Sequence, residues 1–199
     1  MTSPSSNKPD TNDSAVISRI LKVLGPIVSR PSLDRPDFMG HCLAKLSQIF
    51  SADLGFLLYH ESKLKSLGSH DFYAHDKNSA SESYFETLQD EGLRRALFEF
   101  AQKEPYLTVE RSEEVPESLA VLREHLRFQK QSSLTIIPLV YNKEVYGILG
   151  FVSYHAVPHQ QTELAQSWQL LSTILGNSLG RESIRIRNIH NLSRYHFLV

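Results

Sequence analysis

The chain has 199 residues, 41% hydrophobic and 10% aromatic, enough for one domain with a substantial core. Its 21 basic and 22 acidic residues leave a formal charge of -1, which excludes the basic footprint of a nucleic-acid binder or a polybasic membrane patch. A single cysteine excludes an internal disulfide framework and a multi-cysteine metal site.

No run approaches the ~18 apolar residues of a membrane span, and the polar N-terminus has no secretory core. Both features fit a cytoplasmic protein. Residues 1–12, rich in Ser, Asn, Asp and Pro, are expected to be a disordered tail. A first helix starts near Asp13 or Ser14, with Val16, Ile17, Ile20, Val23 and Leu24 at helical spacing, until Gly25 and Pro26 kink or end it. Asp34 caps a second helix, whose apolar face runs through Met39, Cys42, Leu43, Leu46, Ile49 and Phe50. On that face Cys42 reads as a small buried hydrophobe.

Residues 52–61 form a strand that is apolar on both faces and so central in its sheet. Residues 63–69 are its hairpin partner, and 70–83 read as a loop with a short strand at its start. A short helix over 81–89 precedes a longer one through Leu93, Ala96, Leu97, Phe100 and Ala101. Pro105 ends it, residues 106–109 make a short strand, and 110–117 are an acidic loop. A further helix begins at Pro116 or Ser118, with Leu119, Leu122 and Leu126 inward.

The stretch 132–154, SSLTIIPLVYNKEVYGILGFVSY, is a β-hairpin around Asn142 and Lys143. Either a two-residue turn or a loop from Tyr141 to Glu144 pairs Val140 with Val145 and Ile136 with Leu149. In that register one face, holding Leu134, Ile136, Pro138, Val140, Leu149 and Phe151, is dry and should meet helices. The other, holding Ser133, Thr135, Tyr146 and Tyr154, mixes apolar bodies with polar tips and suits a ligand cavity. Gly147 and Gly150 leave room for a close approach. A long helix then runs from about Thr162 to about Asn191 on a stripe of Leu164, Trp168, Leu171, Leu175 and Leu179, drifting toward the 3.5-residue repeat of a helix pair. The closing SRYHFLV is apolar, as though the chain continued.

The residues Ser133, Pro138, Leu139, Gly147, Leu149 and Gly150 resemble the C-terminal half of a GAF domain, and the helix pair leading into the first strand is similar to that family's N-terminal part. The resemblance covers about residues 14–185. It implies an α+β fold with a central antiparallel sheet of about six strands. Terminal helices would pack on one face, with short helices and loops over the other. The GAF-like domain would span 13–185, and 186–199 would be a helical linker, SRYHFLV looking somewhat like the start of a PAS-type domain. The resemblance also implies a non-catalytic sensory domain of a larger, bacterial-type signalling protein. It would bind a small regulatory ligand and relay the signal through a dimerising C-terminal helix, with neither nucleic acid nor membrane as partner. The alternative is a ligand-free dimerisation module.

Departures from the family narrow the ligand. The Asn-Lys pair of its cyclic-nucleotide binders sits here in the wrong turn, at Asn142 and Lys143. Cys42 lies on a core-facing helix, which disfavours bilin attachment. One cysteine cannot serve as both attacking and resolving thiol, as methionine sulfoxide reduction requires. The nine histidines show no recognised ligand spacing, and no nucleophile elbow or phosphate-cradling glycine loop is present. Catalytic and metal-binding residues are therefore assigned to no position, and the cofactor stays unidentified. The expected ligand lining is Phe72, Tyr84, Phe98, Tyr106, His125, Phe128, Ser133, Thr135, Tyr146 and Tyr154, an amphipathic set suited to a small apolar or aromatic molecule.

Overall fold

The computed structural model describes residues 11–28, 36–61, 66–75, 84–123, 133–154 and 164–196. Four helices lie among them: α1 (Thr11–Val28), α2 (Pro36–Ile49), α3 (Glu91–Ala101) and α4 (Ala165–His196). Five strands, β1 (Leu54–Glu61), β2 (Ser66–Ala74), β3 (Leu107–Val109), β4 (Ser133–Tyr141) and β5 (Glu144–Ser153), form one antiparallel sheet in the order β2-β1-β5-β4-β3.

α1 packs on α2 and α4, α2 on β1 and β2, and α4 on β4 and β5, so the terminal helices cover one face. α3, a helical turn at 84–87 and the 3-10 turns Ser112–Glu114 and Glu117–Leu119 lie with the other, distal face. Each face has its own core. Ile20, Leu24, Leu46, Leu57, Ile137, Leu149, Trp168, Leu171 and Leu175 fill the helix side. Leu54, Phe56, Leu58, Leu97, Leu134, Ile136, Ile148 and Val152 fill the distal side. Along β1, Phe56 and Leu57 point to opposite cores, the alternation expected of a strand buried on both faces.

The expected stripe of α4 holds: Leu164, Trp168, Leu171, Leu175 and Leu179 are all buried. Trp168 stacks on Phe50, with centroids 4.5 Å apart, and on Phe151 at 6.4 Å. A second row on α4, spaced by four, is small. The Ser172 hydroxyl donates to the Pro138 carbonyl. A Cβ at Gly176 would sit 2.3 Å from the Val140 carbonyl oxygen, and one at Gly180 2.4 Å from the Tyr141 ring. Hydrogen at Gly176 lets the helix lie directly on the backbone of β4, and hydrogen at Gly180 makes room for the Tyr141 ring.

Two local features refine the sequence reading. Of the two outcomes open at Pro26, the helix continues, to Val28, at the cost of the N–H that would reach the Lys22 carbonyl. α3 is capped by Asp90, whose carboxylate accepts from the Leu93 N–H at 2.7 Å, and Gly92 sits harmlessly in its first turn.

The hairpin turn has two residues, with Asn142 at φ 50° and Lys143 at φ 67°, the left-handed pair of a type I′ turn. Val140 pairs with Val145 as expected, but Leu139 then pairs with Gly147. Tyr146 is the extra residue of a β-bulge, and beyond it the register slips by one. Ile136 faces Gly150, not Leu149.

The slip corrects the assignment of faces. β5 keeps its expected orientation from Gly147 onward, with Leu149 and Phe151 toward the helices and Ile148 and Val152 distal. β4 is reversed. Ile137 and Leu139 meet the helices, and Leu134 and Ile136 look away.

Gly176→Ala should destabilise the protein by about 2 kcal/mol in urea unfolding, because strand backbone has no rotamer with which to yield. Lys143→Gly should stabilise it by about 0.5 kcal/mol, since relief of left-handed strain (~1–2 kcal/mol) outweighs the flexibility gained by the unfolded chain.

Candidate functional site

The bulge divides the expected ligand lining. Ser133, Thr135 and Tyr146 do not face the distal layer. Tyr146 belongs to the helix-side core, its ring 5.9 Å from Tyr141 and its hydroxyl 2.9 Å from Glu144 Oε2. Thr135 and Ser133 share the helix-side face of β4 by alternation from Ile137, and both are buried. Their polar tips had suggested a wet cavity; they are instead buried polar groups on a packed face. His125 and Phe128 lie outside the described residues.

The structure does bring Phe72, Tyr84 and Tyr154 together on the distal side. Phe72 pairs across the ladder with Phe56 and meets Phe85 edge-on at 5.2 Å. Tyr84 is fully buried, its ring 6.1 Å from Phe56. Tyr154 follows the last residue of β5, and its backbone N–H donates to Asp53 Oδ2 at 2.7 Å. Asp53 thereby anchors the end of β5 beside the start of β1, a role no spacing in the sequence announces.

The Tyr154 hydroxyl is buried and meets no hydrogen-bonding group among the described residues. Burial, then the Asp53 carboxylate, push this phenol up to about 12. Burial, then the neighbouring Tyr154, raise Tyr84 still further. Two neutral phenols thus sit among aromatic rings at one end of the distal core, where the Tyr154 hydroxyl can donate a hydrogen bond to a small, largely apolar guest. No group of three or more metal-ligating side chains is assembled among the described residues.

The two glycines of β5 are closely approached, as expected, but by the protein's own groups. A Cβ at Gly150 would meet the Phe56 ring at 1.9 Å, and one at Gly147 the Leu58 carbonyl at 2.7 Å. Phe56 therefore occupies the middle of the distal face.

Phe98 and Tyr106 stand apart from the tyrosine pair. Phe98 lines a cleft of about 770 Å³ between the end of α3 and the hairpin turn, with Lys103, Val140, Lys143 and Tyr146. Tyr106 is 39% exposed and borders a smaller groove of about 330 Å³ with Glu99, Phe100 and Pro116. On the helix side, α1 and α2 enclose a third cleft of about 540 Å³. Cys42 lies at its floor, 3% exposed, with its thiol pushed up to about 11 by burial, as befits a core residue.

No protein-family model matches the sequence, and no curated protein matches it. Solved structures do match the fold. The NLH2 GAF domain from A. aeolicus in an inactive state aligns over 87% of this chain and 98% of its own, at 12% identity and a TM-score of 0.53. Free methionine-R-sulfoxide reductase from Neisseria meningitidis, in complex with its substrate, aligns over 88% and 94%, at 13% identity and 0.56. The chromophore-binding domain of Stigmatella aurantiaca bacteriophytochrome aligns over 89% and 64%, at 13% identity and 0.54. The chain has the GAF fold.

A raised phenol pKa favours the neutral form in the folded state, so its contribution to stability is complete below the unfolded value of 10 and is lost as pH climbs through about 12. The denaturant midpoint should fall across that window, and Tyr154→Phe should make the fall shallower.

Proposed function

We propose that this GAF-fold chain is a non-catalytic sensory domain that binds a small regulatory ligand beside Tyr84 and Tyr154 and relays the change through α4. The observation that carries this reading is the seat of α4 on β4. Strand β4 presents Leu134 and Ile136 to the distal core and Ile137 and Leu139 to the helix side. A guest that shifts the distal packing shifts the same strand whose backbone lies under Ser172 and Gly176. Among the residues whose side chains are described, none beyond Gly180 is buried, although α4 continues to His196, about 24 Å further at 1.5 Å per residue. That length suits a helix that pairs with a second copy and reports its own reorientation to an output domain of a larger signalling protein.

The fold supports the sensory reading, and the single buried cysteine speaks against the thiol chemistry of the reductase of similar fold. Among the described residues no helix is long and apolar enough to cross a membrane, in keeping with work in the cytoplasm. A second reading, a ligand-free dimerisation module, is favoured by the Phe56 ring over Gly150, which fills the centre of the distal face.

Native mass spectrometry of protein purified from cells separates the readings. The sensor predicts a dimer carrying a small molecule of fixed mass, lost when Tyr84 and Tyr154 are both replaced by Ala in a variant that still folds. An empty dimer that stays empty when offered cell extract favours the dimerisation module. A monomer at micromolar concentration overturns the pairing in both.

A further inference from the structure

We propose that the cleft between α1 and α2 is a second ligand site, on the face opposite the tyrosine pair, and that it takes a small amphiphilic carboxylate. Its volume of about 540 Å³ lies within the range usual for small-molecule sites. Its floor is apolar, with Val23 and Ile49 half-buried and the Cys42 thiol neutral beneath them. Its rim is basic: Arg19 and Lys22 from α1, Lys45 and His41 from α2, all exposed.

Among the described residues no carboxylate lines this cleft. The acids of α1 and α2 are Asp13 and Asp37, both in first turns, where the helix dipole favours them. Arg19, Lys22 and Lys45 make no ion pair among the described residues. Basic groups around an apolar trough, with no counter-charge among the described residues, complement a molecule that has an anionic head and an apolar body.

Other occupants fit less well. A second copy in a two-fold pair would set this basic rim against itself. A partner helix would find a short groove, since Arg19 to Pro26 spans about 10 Å and His41 to Ile49 about 12 Å. A bilayer needs its apolar contacts to protrude, whereas here Val23, Ile49 and Cys42 lie below the charges. A free acyl or aryl acid can place its chain on the floor and its carboxylate among the cations.

The test is calorimetric titration of the whole chain with octanoate, with octanol and octyltrimethylammonium as controls. Saturable binding of one octanoate per chain is expected, about tenfold tighter than octanol and weakened by added salt. The double variant Lys22→Glu/Lys45→Glu should lose about tenfold in affinity with its thermal midpoint unchanged. Lys103→Glu, in the cleft by the hairpin, should lose none. If the double reversal unfolds the chain, Lys22→Gln/Lys45→Gln carries the same comparison. Equal affinity for octanol, no saturation, or indifference to both double variants overturns the proposal. So does co-sedimentation with phosphatidylcholine–phosphatidylglycerol vesicles in the absence of octanoate binding. A small molecule retained through Tyr84 and Tyr154 would leave the sensory reading intact in any of those outcomes.

Discussion

The close seat of α4 on β4 sets the geometry of the whole domain. Side chains normally hold a helix away from a sheet. At Ser172 and Gly176 little or nothing stands between them, so the helix meets main-chain atoms of Pro138 and Val140, while Gly180 admits the Tyr141 ring. The Ser172 hydroxyl also satisfies the carbonyl of Pro138, a residue with no N–H to offer the ladder. With that contact made, the leucines of α4 and Trp168 drop into the helix-side core beside Phe50 and Phe151. α1 then packs on α4, and α2 completes the layer over β1 and β2.

The bulge at Tyr146 is the second determinant. It places two consecutive residues, Tyr146 and Gly147, on the helix side. The turn end of the hairpin can then carry an aromatic ring against Tyr141 while Leu149 and Phe151 still fill the core. The cost is local and visible. Lys143 holds a left-handed conformation that glycine would adopt more readily, in a turn whose twist matches its strands.

Most of the layering was legible in the sequence, because period-3.6 patterns are strong in α2, α3 and α4, and short apolar runs rich in strand-forming residues mark β1 and β5. The stripe Leu164 to Leu179 and the face Leu43, Leu46, Phe50 lie where their spacing puts them. The orientation of β4 was not legible. A single extra residue inverts a strand relative to its partner, and the one hint, Gly147 within the strand, fits a close approach as well as a bulge. That inversion carried Ser133, Thr135 and Tyr146 out of the expected lining. Tyr84, Phe72 and Tyr154 do meet on the distal side, Tyr154 beyond the end of β5 and Phe72 on a strand that runs on to Ala74 through what reads in sequence as a loop. Asp53 and Phe56 were missed for another reason: a carboxylate that anchors a backbone N–H and a ring that lies over a glycine act across strands, and only the register shows which residues meet.

Trp168 is the only tryptophan of the chain, and it sits on α4 against the rings of Phe50 and Phe151. It is 2% exposed, and its indole N–H has no hydrogen-bond acceptor among the described residues. Such an indole fluoresces toward the blue and shifts to the red once water or a polar group reaches it. The domain therefore carries a built-in optical gauge: excited to the red of tyrosine absorption, one indole reads how tightly the last helix sits on the sheet, without any label.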